Sequence, residues 1–108
     1  MQGIRPVGEK LLEVARYVVQ EHVLFQEVDG VILVVDTNQE QYYDFNEVGG
    51  EIWAAIDGGK DTTEIVELLV RDYEIEPDLA ASDVEKFVNS LLARELVQVE
   101  RAQDEKSV

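Results

Sequence analysis

Few residues in this chain are of a type and spacing to act on a substrate. His22 is the sole histidine, so the helical histidine pair of a zinc hydrolase cannot form. The serines are Ser82, Ser90 and Ser107, and none lies in a G-x-S-x-G elbow. There is no cysteine, which excludes disulfides, thiolate zinc sites and a cysteine nucleophile. Gly58-Gly59-Lys60 follows a helix-forming run and lacks the spacing of a phosphate-cradling loop. Lys60 reads more simply as a cation near a helix C-terminus. Neither catalysis nor a cofactor is expected.

One metal-like pattern remains. Asp36, Asn38, Glu40, Asp44 and Glu47 fall at the first, third, fifth, ninth and twelfth positions of a calcium loop. Gln41 stands where such a loop needs glycine, and Tyr42-Tyr43-Asp44-Phe45 reads as strand. A turn followed by an acidic strand edge accounts for the pattern, and no metal site is expected.

The elements that would position these groups can be read from periodicity. Val23 to Val28 and Val31 to Val35 flank Asp29-Gly30, a two-residue hairpin signal. The second run is continuously apolar and β-branched, as a central strand is. Asp36-Thr37-Asn38 supplies turn chemistry. A third strand follows over Gln41 to Phe45, with Tyr43 and Phe45 on one face and Tyr42 and Asp44 on the other. Three strands joined by short turns make an antiparallel meander.

After Phe45 the period becomes helical. Asn46 is a good cap, and Val48, Ile52, Trp53 and Ile56 form an apolar stripe that Gly58-Gly59 ends. Ile52, Trp53 and Ile56 are assigned to the core. Asp61 with Glu64 has capping-box spacing ahead of the stripe Ile65, Val66, Leu69, Val70 and Tyr73. Glu76-Pro77-Asp78 opens a third helix, with Val84, Phe87, Val88, Leu91 and Leu92 on its apolar face. Leu96, Val97 and Val99 close the domain as a short strand. The fold class is α+β and winged helix-turn-helix-like: an N-terminal three-stranded antiparallel sheet, then three helices.

Residues 21–100 therefore form the domain. Residues 101–108 are a polar tail, and residues 1–20 an N-terminal extension. In that extension Leu11, Leu12, Ala15, Val18 and Val19 share one helical face after Pro6, which favours a short helix. Tyr17, Val18 and Val19 read equally as the start of a strand.

Charge decides among partners. The 108 residues carry 24 acids against 9 bases, a formal net charge of −15. Residues 21–59 hold nine acids and no lysine or arginine. The helical layout suggests a DNA-binding winged helix, but a duplex binder needs cations to displace phosphate counterions. The third helix sets Lys86 and Arg94 against Asp83, Glu85 and Glu95, so nucleic acid is not an expected partner. Anionic membrane surfaces are disfavoured for the same reason. No apolar run is long enough to span a bilayer, and MQGIRPVGEK lacks the core of a secretory signal, so the expected location is cytoplasmic.

Several segments carry a family likeness. His22-Val23 precedes Asp29-Gly30 and Val31-Ile32-Leu33-Val34-Val35-Asp36. Tyr42-Tyr43-Asp44-Phe45-Asn46 is followed by Val48-Gly49, Ile52-Trp53 and Asp57-Gly58. Tyr73, Ile75, Pro77, Asp83, the Val84/Phe87/Leu91 stripe and Ala93-Arg94-Glu95-Leu96-Val97 complete the layout. Over about residues 20–99 the chain resembles the PqqD-like family, the peptide-recognition domains of ribosomally made, modified natural-product pathways. Within it the chain is most like the stand-alone leader-binding proteins of lasso-peptide biosynthesis. Two positions depart from the family pattern. Glu40 stands where the turn often has glycine, which implies a more open turn. Glu95 stands where glycine is common before the terminal leucine, which implies a different end to the last helix.

The resemblance implies binding without catalysis. The leader of a precursor peptide would add as a strand antiparallel to the third strand, in the cleft between it and the third helix. It would then be delivered to a leader peptidase and a macrolactam cyclase. The alternative within the family is a chaperone of the quinone-cofactor (PQQ) pathway, presenting its precursor to a radical SAM enzyme. A winged-helix regulator is the alternative outside it. By position, Gln41, Tyr42, Tyr43 and Asp44 form the docking strand. Asp83, Lys86, Phe87, Ser90 and Arg94 form the facing helix stripe. Tyr43 and Phe87 also read as plain core, and Asp83 as a first-turn helix acid. Asp83 or Asp44 is expected to meet a leader cation.

Overall fold

The computed structural model describes residues 14–100. The helix expected over Leu11 and Leu12 and the polar tail 101–108 lie outside the described residues. Five strands and three helices follow in the order β1 (Tyr17–Val19), β2 (Val23–Val28), β3 (Val31–Asp36), β4 (Gln41–Phe45), α1 (Glu47–Asp57), α2 (Thr62–Tyr73), α3 (Pro77–Ala93) and β5 (Val97–Val99). The architecture is α+β, as the sequence pattern indicates. The expected third strand is β4.

β2, β3 and β4 form one antiparallel sheet in that order, with β3 in the centre. Asp29 and Gly30 join β2 to β3 with φ of 54° and 81°, the paired positive values of a type I′ turn. The next turn is not opened by the missing glycine. Glu40 itself takes a left-handed φ of 57°, and pairing continues to Asp36↔Gln41. Buried Asp36 secures that turn, its Oδ1 accepting the N–H groups of Asn38 and Gln39 at 2.9 and 3.1 Å.

The N-terminal stretch requires a correction. Tyr17–Val19 is a strand, not part of a helix, and pairs antiparallel with β5 through Tyr17↔Val99 and Val19↔Val97. β-branched Val18 and Val19 suit a strand, but the deciding partner comes from the far end of the described chain. Ala15 ties this strand to α2 by two hydrogen bonds, one to the Thr62 hydroxyl and one from the Thr62 N–H.

Caps delimit the helices where the sequence signals them. The Asn46 side chain accepts the Gly49 N–H at 2.8 Å. Asp61 and Glu64 exchange side-chain and backbone bonds in a full capping box. α3 starts at Pro77 in its first turn. It ends in a six-to-one bond from Leu96 N–H to Leu91 C=O, with Glu95 N–H on Leu92 C=O. Glu95 occupies the left-handed position at φ 62° that glycine would take. The helix end is thus that of a glycine-terminated helix, contrary to expectation.

The core lies between the inner face of the sheet and the helices. Val34, Trp53, Ile65, Leu69, Val84 and Leu91 are fully buried. Trp53 is held between Phe25 and Phe45, with ring centroids 5.4 and 5.5 Å away. Ile52 and Ile56 are buried beside it, as assigned. Among the described residues, no helix is long and apolar enough to cross a membrane.

Candidate functional site

β4 is an edge strand, and its pairing register determines which of its groups are free. Thr37 N–H donates to His22 C=O, so this pair just beyond β2 and β3 is a hydrogen-bonded one. Alternation then directs the main-chain groups of Ile32, Val34 and Asp36 toward β4, where they meet Phe45, Tyr43 and Gln41. The N–H and C=O groups of Tyr42 and Asp44 are left facing the open edge. An unpaired edge of this kind is a template for an added strand.

Beside this edge runs a cleft of about 560 Å³ between β4, the start of α1 and α3. Its walls include Asp44, Phe45, Asn46, Val48, Gly49 and Ile52 on one side and Asp83, Lys86, Phe87 and Ser90 on the other. Phe45 and Phe87 meet edge-to-face at 5.0 Å and 78°, giving the cleft an apolar floor. Gly49 allows the close approach of α1, because a Cβ there would lie 3.0 Å from Phe87 Cε1.

The cleft brings together Asp44, Asp83, Lys86, Phe87 and Ser90 from the expected set. Tyr43 and Arg94 meet just outside it, the guanidinium carbon lying 5.2 Å from the ring centroid. Gln41 and Tyr42 do not line the cleft. They sit at the exposed start of the edge, and Tyr42 points to the outer face of the sheet at 78% exposure. Ser90 already donates its hydroxyl to Phe87 C=O at 2.9 Å. Half-buried Tyr43 and Phe87 both pack against the core, and Phe87 also lines the cleft.

Asp83 is not a first-turn acid. α3 begins at Pro77 and its first-turn acid is Asp78, so Asp83 lies beyond the reach of the helix dipole. Among the described residues the ion pairs are His22–Asp36 and Arg71–Asp72; Asp44, Asp83, Lys86 and Arg94 have none. The charged groups around the cleft are therefore available to a ligand.

Sequence reasoning missed Asn46, Val48 and Gly49 as lining residues, while Ile52 borders the cleft from the core to which it was assigned. A Gly49-Gly50 pair inside a helix was the available signal, since glycine there costs stability unless close approach requires it. The calcium-like pattern has no counterpart in space. Asp36 is turned into its own loop, and among the described residues no three His, Cys, Asp or Glu side chains are grouped to hold a metal.

A second groove of about 610 Å³ lies on the outer face of the sheet, over Leu24, Leu33, Val35, Tyr42 and Asp44. Leu24 is 60% and Leu33 42% exposed. This face is more apolar than a sheet facing only water.

Comparison with known proteins agrees with this architecture. The family model described as coenzyme PQQ synthesis protein D (PqqD) matches residues 21–97. Two solved structures share the fold. TbiB1 in complex with the TbiA(beta) leader peptide is 23% identical, with a TM-score of 0.71 over 73% of this chain and 92% of that one. Lasso peptide synthetase B1 complexed with the leader peptide is 19% identical, with a TM-score of 0.72 over 77% and 98%. No curated protein sequence matches the chain.

Proposed function

The chain belongs to the PqqD family, and from that premise we propose that it is a non-catalytic adaptor for the leader of a ribosomally synthesised precursor peptide. The leader adds as a strand antiparallel to β4 and lies in the cleft with α3. The observation that carries this reading is the unpaired β4 edge alongside a cleft with an apolar floor. Main-chain bonds at Tyr42 and Asp44 provide affinity in such a mode, and pockets beside alternate residues provide selectivity.

We place the adaptor in lasso-peptide biosynthesis, in the cytoplasm, delivering the leader to a leader peptidase and a macrolactam cyclase. Two neighbours of the same fold are lasso-type leader complexes, which supports this assignment. A second reading, presentation of a precursor to a radical SAM enzyme in PQQ synthesis, is favoured by the description of the family model itself. A nucleic-acid role is opposed by the net charge of −15.

Calorimetric titration with the leader of the precursor encoded beside the gene tests the adaptor reading. A one-to-one isotherm at micromolar or tighter affinity is expected. Tyr42→Pro should weaken it while leaving the protein folded, because the Tyr42 N–H serves only the open edge. Tyr43→Pro should instead unfold the sheet. Absence of binding to any neighbouring short peptide, or full binding by folded Tyr42→Pro, would remove strand addition at β4.

A further inference from the structure

The backbone edge and the apolar floor of the cleft cannot by themselves tell a peptide's direction. The N–H and C=O groups of Tyr42 and Asp44 accept a strand running either way, and Phe45 and Phe87 take an apolar side chain from either. Charge does distinguish the two ends. Where α1 begins, Asp83 on α3 borders the opening, and Asp44 reaches it at the β4 edge, its side chain on the outer face with Tyr42. At the other end Arg94 lies against Tyr43. Lys86, exposed and one turn along α3 from Asp83, continues the change of sign toward Arg94. None of these four groups has an ion-pair partner among the described residues.

Resting on the strand-addition reading above, we infer that this graded charge selects the order of residues in the peptide. A strand antiparallel to β4 sets its N-terminal part beside Phe45, Asp44 and Asp83, and its C-terminal part beside Tyr43 and Arg94. The preferred segment therefore has lysine or arginine ahead of its apolar anchors and aspartate or glutamate after them. Asp83 and Arg94 are separated by about 16 Å of helix axis at 1.5 Å per residue. An extended chain covers that distance in about five residues, which fixes the spacing between the two charges. Each contact alone is weak because the groups are partly exposed. Reversing the order, however, replaces attraction with repulsion at both ends.

The probes are two acetylated, amidated ten-residue peptides of identical composition with a Leu/Val centre. One has lysine before the centre and glutamate after it, and the other has these two exchanged. The lysine-first peptide should bind about tenfold more tightly at low salt, from two exposed contacts. The difference should shrink at high salt. A double variant, Asp83→Lys with Arg94→Glu, should invert the preference, and the milder Arg94→Gln should reduce it should the double variant not fold. Equal binding of both peptides, with amide shifts at Tyr42 and Asp44, would overturn charge ordering and leave strand addition standing. Tighter binding of the exchanged peptide would overturn it as well. Failure of both peptides and the precursor leader to shift those amides would remove strand addition and this inference with it.

Discussion

Gly49 tests whether the floor of the cleft is held rigidly. It lies in the first turn of α1, and its N–H is the one capped by Asn46 at 2.8 Å. Helix propensity alone favours alanine at such a position by about 1 kcal/mol. Packing opposes it. A Cβ on Gly49 would lie 3.0 Å from Phe87 Cε1, 3.3 Å from the Asn46 cap oxygen and 3.3 Å from Phe45 Cβ. Carbon atoms prefer about 3.5–4.0 Å, so the Phe87 ring must withdraw by about half an ångström. That ring is also held edge-to-face on Phe45 at 5.0 Å. Overpacking costs about 1–3 kcal/mol and a weakened cap up to about 1 kcal/mol. Against the propensity gain, Gly49→Ala should destabilise the protein by about 1–2 kcal/mol. Urea unfolding followed by the fluorescence of buried Trp53 would measure it, and leader affinity should fall several-fold in the folded variant. Gly59→Ala is the control: its φ of 87° strains any side chain, but nothing lies within 4 Å. It should cost about 1 kcal/mol with no effect on the peptide. A Gly49→Ala protein that gains about 1 kcal/mol and binds the leader unchanged would refute the rigid floor.

Three further outcomes follow from single features. Asp61→Ala removes a complete capping box from α2 and should cost about 1 kcal/mol in denaturant unfolding, whereas Asp61→Asn should retain most of it. Glu95→Gly relieves a left-handed residue at the end of α3 and should raise stability by about 0.5–1 kcal/mol; a loss would mean that Glu95 bears no strain. Burial raises the Tyr73 phenol above its usual pKa of 10.0, with Glu47, Glu51 and Asp72 adding to the effect. The unfolded chain therefore releases this proton first, and stability should fall as pH rises from about 10 through the folded value. Ultraviolet titration should show a phenol ionising above pH 10.0, and Tyr73→Phe should remove that step.

Much of the fold was legible because its signals are local. Asp29-Gly30, Asn46, Asp61 with Glu64, and Pro77 each act on backbone groups within a turn of themselves, so residue type and spacing suffice to locate them. The alternation in Gln41–Phe45 likewise separates Tyr43 and Phe45 from Tyr42 and Asp44 without reference to any partner. The rule that left-handed turns take glycine misled at Glu40 and Glu95. Both residues accept the strained φ because the strand pair and the helix end around them hold the backbone in place.

The candidate site was legible only in outline. The family resemblance implied its two walls, β4 and α3, yet not which side chains face each other. Arg94 over Tyr43, Phe87 against Phe45 and the approach of Gly49 to Phe87 are contacts between segments distant in the chain. No local pattern encodes them.

The amino-acid sequence by itself determined the order of elements from β2 onward, the helix starts, the hairpin, the acidic character and membership of the PqqD family. Tertiary structure alone decided the pairing of β1 with β5, the register that turns the main-chain groups of Tyr42 and Asp44 to the open edge, and the change of charge along the cleft. The reason is physical. Capping, turns and periodicity depend on neighbours along the chain, whereas an edge or a cleft exists only once distant segments have packed and left something uncovered.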